Sequence, residues 1–144
     1  MKKVVVFAIV MLFCYTAKAQ SEDNTSLVKK ACLNYIEGFY EGSPEKLQQA
    51  IRPNLDKFGY TKKPGSTSYQ PYAQMTYEKA IAYAKRVAQM DPNPYNGAIK
   101  KVEVLDVMEH IASAKITAKW GTDYLLLSKD KGVWRIEKII WQGK

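Results

Sequence analysis

The chain has 144 residues, 47% of them hydrophobic, and a net charge of +8. That length suits one domain around one core. Its basic excess is spread along the chain as Lys62-Lys63, Lys100-Lys101, Lys115, Lys119, Lys129 and Lys131. With no arginine cluster and no basic helix carrying interleaved aromatics, the pattern excludes a nucleic-acid groove and describes a solvated face.

Lys2 and Lys3 precede an apolar run from Val4 to Tyr15, and Ala17-Lys18-Ala19 follows. A basic start, an apolar stretch and small residues before a cut form the pattern of a secretory signal peptide over residues 1–19. The run is about a dozen residues, short of the ~20 that a helix needs to cross a bilayer. Phe13 stands before Cys14, where a lipoprotein signal has a small residue. The expectation is therefore cleavage after Ala19, export to the periplasm or beyond, and no membrane association of the remaining chain. Loss of Lys2, Lys3 and Lys18 lowers the net charge by three.

Residues 20–26 read as a loose polar lead-in, and residues 27–142 as the single domain. Leu27, Val28, Ala31, Cys32, Tyr35, Ile36, Phe39 and Tyr40 recur at helical spacing, with Asn24 or Thr25 as cap and Gly42 as stop. Ser43-Pro44-Glu45 opens a second helix that Pro53 ends. A short strand from Leu55 to Thr61, a Pro64-Gly65 turn and a return strand from Tyr69 to Met75 follow, with Pro71 confining the second to an edge. Thr76 caps a third helix, closed at Asp91-Pro92-Asn93-Pro94.

The remainder is β. Ile99–Met108 changes apolar phase between Val104 and Leu105, which points to a bulge. Ala112, Ala114, Ile116, Ala118 and Trp120 alternate with polar residues, giving one dry face and one wet face. Gly121-Thr122 turns the chain into Asp123–Lys129, and Asp130-Lys131-Gly132 fits a hairpin loop leading to Val133–Trp141. The expected fold class is α+β in the order α-α-β-β-α-β-β-β-β, with three helices on a strongly curved antiparallel sheet.

Chemistry-bearing residues are few. Cys32 falls in an apolar helical pattern and reads as a buried small residue. His110, the sole histidine, sits in a strand connection and is expected to be exposed. No cluster has metal-ligand spacing, no glycine-rich phosphate loop is present, and no cofactor is expected. The acids to be weighed for catalysis are Asp56, Asp106 and Asp123, each with a turn, cap or solvated role as its plainer explanation. Tyr35, Phe39, Tyr60, Trp120, Tyr124 and Trp141 are the residues expected to line an apolar pocket. Packing is the plainer role for each, and for Trp134.

Tyr35-Ile36-Glu37-Gly38-Phe39-Tyr40-Glu41-Gly42, Leu105-Asp106-Val107, Ile111 to Ile116, Asp123-Tyr124-Leu125, Gly132 to Ile136 and Ile140-Trp141 follow one another in order. From Leu27 to Trp141 the chain resembles the nuclear transport factor 2-like, cystatin-like cone superfamily, and within it the Putative lumazine-binding group. The resemblance implies a cone with a concave interior, a small apolar or aromatic ligand, and a homodimer formed through the open sheet. It also admits an isomerase, dehydratase or cyclase using an Asp/Tyr pair, or an envelope interaction module without chemistry. Relatives often carry histidine where this chain has Ile51-Arg52-Pro53. Arginine stays charged and cannot serve as a base there.

Overall fold

The computed structural model describes residues 23–144. The leader expected over residues 1–19 lies outside the described residues. Helix α1 spans Asn24–Tyr40 and α2 Pro44–Ala50; strands β1 (Ile51–Lys62) and β2 (Tyr69–Met75) follow. Then come α3 (Tyr77–Val87), β3 (Lys101–Val107), β4 (Ile111–Ala118), β5 (Gly121–Asp130) and β6 (Val133–Gly143). This is the α+β order expected from sequence.

Helix α1 starts earlier than the sequence suggests. Asp23 is its cap, accepting from the Ser26 amide at 2.8 Å, so residues 24–26 are already helical rather than loose. Val28, Ala31, Cys32, Tyr35, Ile36 and Phe39 then form one buried stripe. Ser43 caps α2 with Pro44 in the first turn. That helix closes at Ala50, and Pro53 falls inside β1 instead of ending the helix. Proline is tolerated there because the pairing of β1 with β6 is interrupted between Ile51 and Asp56.

The six strands form one sheet in the order β2-β1-β6-β5-β4-β3. One join departs from the antiparallel expectation: β1 runs parallel to β6, making the sheet mixed. The crossover from β1 passes through β2, α3 and three further strands before β6 returns beside it. Bulges bend this surface. One lies between Val104 and Asp106 in β3, where the apolar phase change placed it. Another skips Glu137 in β6: Leu127 pairs with Ile136, and Leu126 with Lys138. The second bulge resets the phase of β6, so that Trp134 and Ile136 face inward before it and Ile139 after it. The β5–β6 hairpin turns on Lys131 and Gly132, both at positive φ (49° and 80°), which suits the twist of the strands.

The core fills the concavity between sheet and helices. Ile36, Leu47, Ile51, Ile116, Leu125, Leu127, Ile136 and Ile139 are fully buried. Each contributes about 1.5–3 kcal/mol of transfer free energy. Ala112, Ala114, Ile116 and Ala118 are the dry face of β4, as their alternation predicts. Gly42 ends α1 at φ +68°, and a Cβ there would stand 2.3 Å from the Ala88 amide nitrogen of the α3 terminus. Gly42→Ala should therefore lower the unfolding free energy by at least about 1–2 kcal/mol from the backbone conformation alone. Urea titration of the variant against the parent checks this, and an unchanged midpoint would show that α1 and α3 are not in this contact.

Candidate functional site

Strand β5 places Gly121, Asp123, Leu125 and Leu127 on its inward phase. Asp123 is completely buried, so its neighbourhood to Gly121-Thr122 gives it no turn role. The two-residue turn is instead Lys119-Trp120, since Ala118 pairs with Gly121. That turn swings the Trp120 indole back over the strand, and its Nε1–H donates to Asp123 Oδ1 at 2.7 Å. From α1, the Tyr35 hydroxyl donates to Asp123 Oδ2 at 2.8 Å. From β1, the Lys57 ammonium donates to Asp123 Oδ2 at 3.3 Å and to the Tyr35 hydroxyl oxygen. One carboxylate thus gathers a helix, a turn and a strand. No buried side-chain nitrogen or oxygen among the described residues lacks a partner.

Lys57 is the residue that sequence reasoning missed. In β1 the buried phase is Leu55, Lys57 and Gly59, while Phe58 and Tyr60 face outward. Alternation alone favours the reverse, because the two aromatics share the other phase. Gly59 was the available signal, since a glycine inside a strand marks a close approach. A Cβ at Gly59 would lie 2.2 Å from the Trp141 carbonyl oxygen and 2.4 Å from its indole Cδ1. The missing side chain lets Trp141 lie across β1 beside Lys57.

The ammonium is enclosed by aromatic rings. Lys57 Nζ lies 5.2 Å from the ring centre of Tyr35, 5.7 Å from Phe39, 5.4 Å from Trp120 and 5.5 Å from Trp141. These rings favour the cation electrostatically. Burial acts in the opposite sense and is the largest influence: it lowers the Lys57 pKa from the ordinary 10.5, with Asp123 pulling it back up. Burial, then the Asp123 charge, holds the Tyr35 phenol well above its ordinary 10, so the hydroxyl keeps its proton. Cys32, one turn from Tyr35, is also buried, and burial pushes its thiol up to about 12.

In front of Lys57 a cavity of about 170 Å³ opens toward the edge strand. Its walls are Phe39, Trp120 and Trp141 on one side, and Tyr72, Ala73 and Met75 of β2 with Tyr83 and Tyr95 on the other. The hydroxyls of Tyr83 and Tyr95 bond to each other. Tyr95 also stacks on Tyr40 at 4.8 Å, and Tyr40 bonds to the Ile99 carbonyl and the Lys119 amide, both at 2.7 Å. These bonds hold the loop between α3 and β3 against the β4–β5 turn, which gives the cavity a firm rim.

The residues singled out in sequence divide into two sets. Phe39, Trp120 and Trp141 line the cavity, and Tyr35 and Asp123 lie beneath it as supports for Lys57. Tyr60 and Tyr124 do not reach it; both are exposed on the outer face of the sheet, because strand alternation sends them away from Gly59 and Asp123. Asp56 shares that outer face, pairing with Lys138 at 3.5 Å and accepting from Gln74 at 3.0 Å. Asp106 is exposed next to the β3 bulge. Neither acid lines the cavity, and Asp56, although next to Lys57 in the chain, is turned to the opposite face of β1. Trp134 is buried and donates to Asn24 Oδ1 at 3.3 Å, tying β6 to the start of α1. The His110 side chain is 70% exposed, as expected.

Comparison with known proteins gives a family and a fold. Residues 23–142 match the family model described as "Putative lumazine-binding". None of the curated proteins is similar enough to match. Among solved structures, an NTF-2 like protein of unknown function from Silicibacter pomeroyi DSS-3 superposes with a TM-score of 0.66 at 15% identity. That alignment covers 83% of this chain and 94% of the other. An NTF2-like protein of unknown function from Methylobacillus flagellatus KT gives 0.62 at 17% identity, covering 86% and 94%. A ketosteroid isomerase-like protein from Erwinia carotovora atroseptica SCRI1043 gives 0.54 at 13% identity, covering 85% and 97%. At these identities the likeness establishes the nuclear transport factor 2-like cone and nothing about activity.

The buried network has a measurable consequence. Asp123→Asn keeps one acceptor oxygen where Trp120 and Tyr35 use two, and leaves the Lys57 ammonium uncompensated, so it should cost about 3–5 kcal/mol of stability. Lys57→Met combined with Asp123→Asn should lose less than the sum of the single changes. Circular dichroism in urea checks both, and strict additivity would mean that the two groups do not interact.

Proposed function

The chain belongs to the Putative lumazine-binding family, and on that premise we propose that it is an exported protein that binds a small aromatic molecule carrying a hydrogen-bond acceptor. The observation that carries this reading is a single ammonium at the floor of an otherwise apolar cavity. Of the three Lys57 N–H groups, two engage Tyr35 and Asp123. The third is left for a carbonyl or ring nitrogen of the ligand. Binding sites of this kind combine apolar walls for affinity with a few placed polar groups for orientation.

Size supports a ligand of one to two rings. A cavity of about 150 Å³ holds benzene in an engineered protein, and this one measures about 170 Å³. A second ring would extend past Tyr72 and Ala73 toward the open side. Export rests on the leader pattern of residues 1–19. Binding is favoured over an Asp/Tyr acid–base mechanism because neither Asp123 nor Tyr35 lines the cavity. Asp123 already accepts from Trp120, Tyr35 and Lys57. Trp120 and Trp141 stand in the wall and should report occupancy by fluorescence quenching. Ala73→Leu places extra bulk in the cavity from the exposed edge strand. It should weaken binding by about tenfold or more, equivalent to about 1.4 kcal/mol. A panel of single-ring and bicyclic aromatic compounds that neither quenches the parent protein nor raises its melting temperature would end this reading.

A second copy of the chain is the partner we infer for the outer face of the sheet. Register aligns Lys115, Tyr124, Ile140 and Phe58 in one row across four strands. Leu126 and Tyr60 flank that row, and all five apolar side chains are at least 39% exposed. Lys115, Lys138 and Asp56 supply both signs of charge at its margin. A two-fold interface requires such a self-complementary patch. The parent should scatter light as a dimer at micromolar concentration, and Tyr124→Lys with Ile140→Glu should give a folded monomer. A monomeric parent would remove the proposal.

A further inference from the structure

We infer that the Lys57 amine captures the carbonyl group of an aromatic aldehyde held in the cavity, forming a reversible iminium link. This deepens the ligand-binding reading above and rests on it. Lys57 is the one amine among the described cavity-lining residues, and that lining has no thiol or aliphatic hydroxyl to compete for the carbonyl. Its nitrogen is ringed by four aromatic side chains, so an aldehyde whose ring occupies the cavity meets the amine at close range. Lysines desolvated in apolar pockets are the ones that act as amine nucleophiles, because the neutral form is easier to reach. Burial lowers the Lys57 pKa in that sense.

The step closes without an outside reactant. The ammonium passes one proton to Asp123 Oδ2, which lies 3.3 Å away. The freed lone pair forms a C–N bond to the carbonyl carbon while the C=O π pair moves to oxygen. That oxygen collects two protons in turn from the Lys57 nitrogen, and Asp123, which does not reach the cavity, returns the proton it holds to that nitrogen between the two transfers. The C–O bond then breaks, water leaves through the open side of the cavity, and the remaining nitrogen pair forms C=N. Aldehyde and ammonium thus become iminium and water, with the positive charge still beside the Asp123 carboxylate and no oxidant or reductant consumed. Tyr35, donating to the same Oδ2, keeps the carboxylate aimed at the nitrogen in both states.

The test is reductive trapping of the whole protein with benzaldehyde and cyanoborohydride near neutral pH, followed by peptide mass spectrometry. Lys57 should carry the benzyl label at least about tenfold above any surface lysine, such as Lys62 or Lys63, because the ring is held beside it. Benzyl alcohol fills the same space without forming a bond and should protect Lys57 while leaving surface labelling unchanged. Lys57→Arg should abolish that label. If the variant does not fold, the distribution of label in the parent still decides. Tryptophan quenching by benzyl alcohol with no enrichment at Lys57 overturns the iminium and leaves the ligand site standing. Neither quenching nor enrichment removes both.

Discussion

A buried ion pair between Lys57 and Asp123, bridged by the Tyr35 hydroxyl, is the constraint around which the molecule is arranged. Two charges taken out of water are costly, and their attraction offsets that cost only if the remaining hydrogen-bonding capacity is satisfied. Here the Trp120 indole completes the second carboxylate oxygen, and four aromatic rings surround the ammonium. The pair therefore dictates where α1, β1, β5 and the β4–β5 turn must sit relative to one another. A hydrophobic replacement of similar volume could pack this space as well. What it could not provide is a polar point at the floor of an apolar cavity.

Curvature makes that cavity. The bulges in β3 and β6 bend the sheet, and the glycine at position 59 lets Trp141 cross β1 closely enough to wall the Lys57 side. The second wall comes from the edge strand β2 and from Tyr83 and Tyr95, which belong to α3 and the loop after it. The outer face of the same sheet carries the opposite phase of β1, β5 and β6. One set of alternations thus produces an enclosed ligand surface and an exposed apolar surface. The ligand reading and the second-copy reading consequently draw on different side chains of the same strands: Asp123 and Lys57 inside, Tyr124 and Phe58 outside.

Local pattern was informative wherever one face was dry and the other wet. Strand β4 alternates alanine and isoleucine with polar residues, and its burial follows that alternation residue by residue. The caps at Ser43 and Thr76, the stop at Gly42 and the β3 bulge were legible for the same reason: each depends on a few neighbouring residues. The helix stripe of α1 put Tyr35 and Phe39 inside without ambiguity. Strands β1 and β5 were less readable because both of their phases hold apolar or aromatic side chains. Tyr60 and Tyr124 were assigned to the pocket on residue type, while their strands turn them outward. Lys57 was passed over because a lysine in a short strand ordinarily faces water.

The amino-acid sequence by itself determined the family, the order of elements and the helical core stripe, since these depend on periodicity and short-range chemistry. Tertiary structure alone decided which phase of β1 and β5 faces inward, and so made Lys57 rather than an isolated aspartate the centre of the site. The physical reason is the parallel pairing of β1 with β6 across a long stretch of chain. It fixes the register of Lys57 opposite Ile139 and of Gly59 opposite Trp141. That register is set by contacts between residues about eighty positions apart, and no local pattern in β1 encodes it.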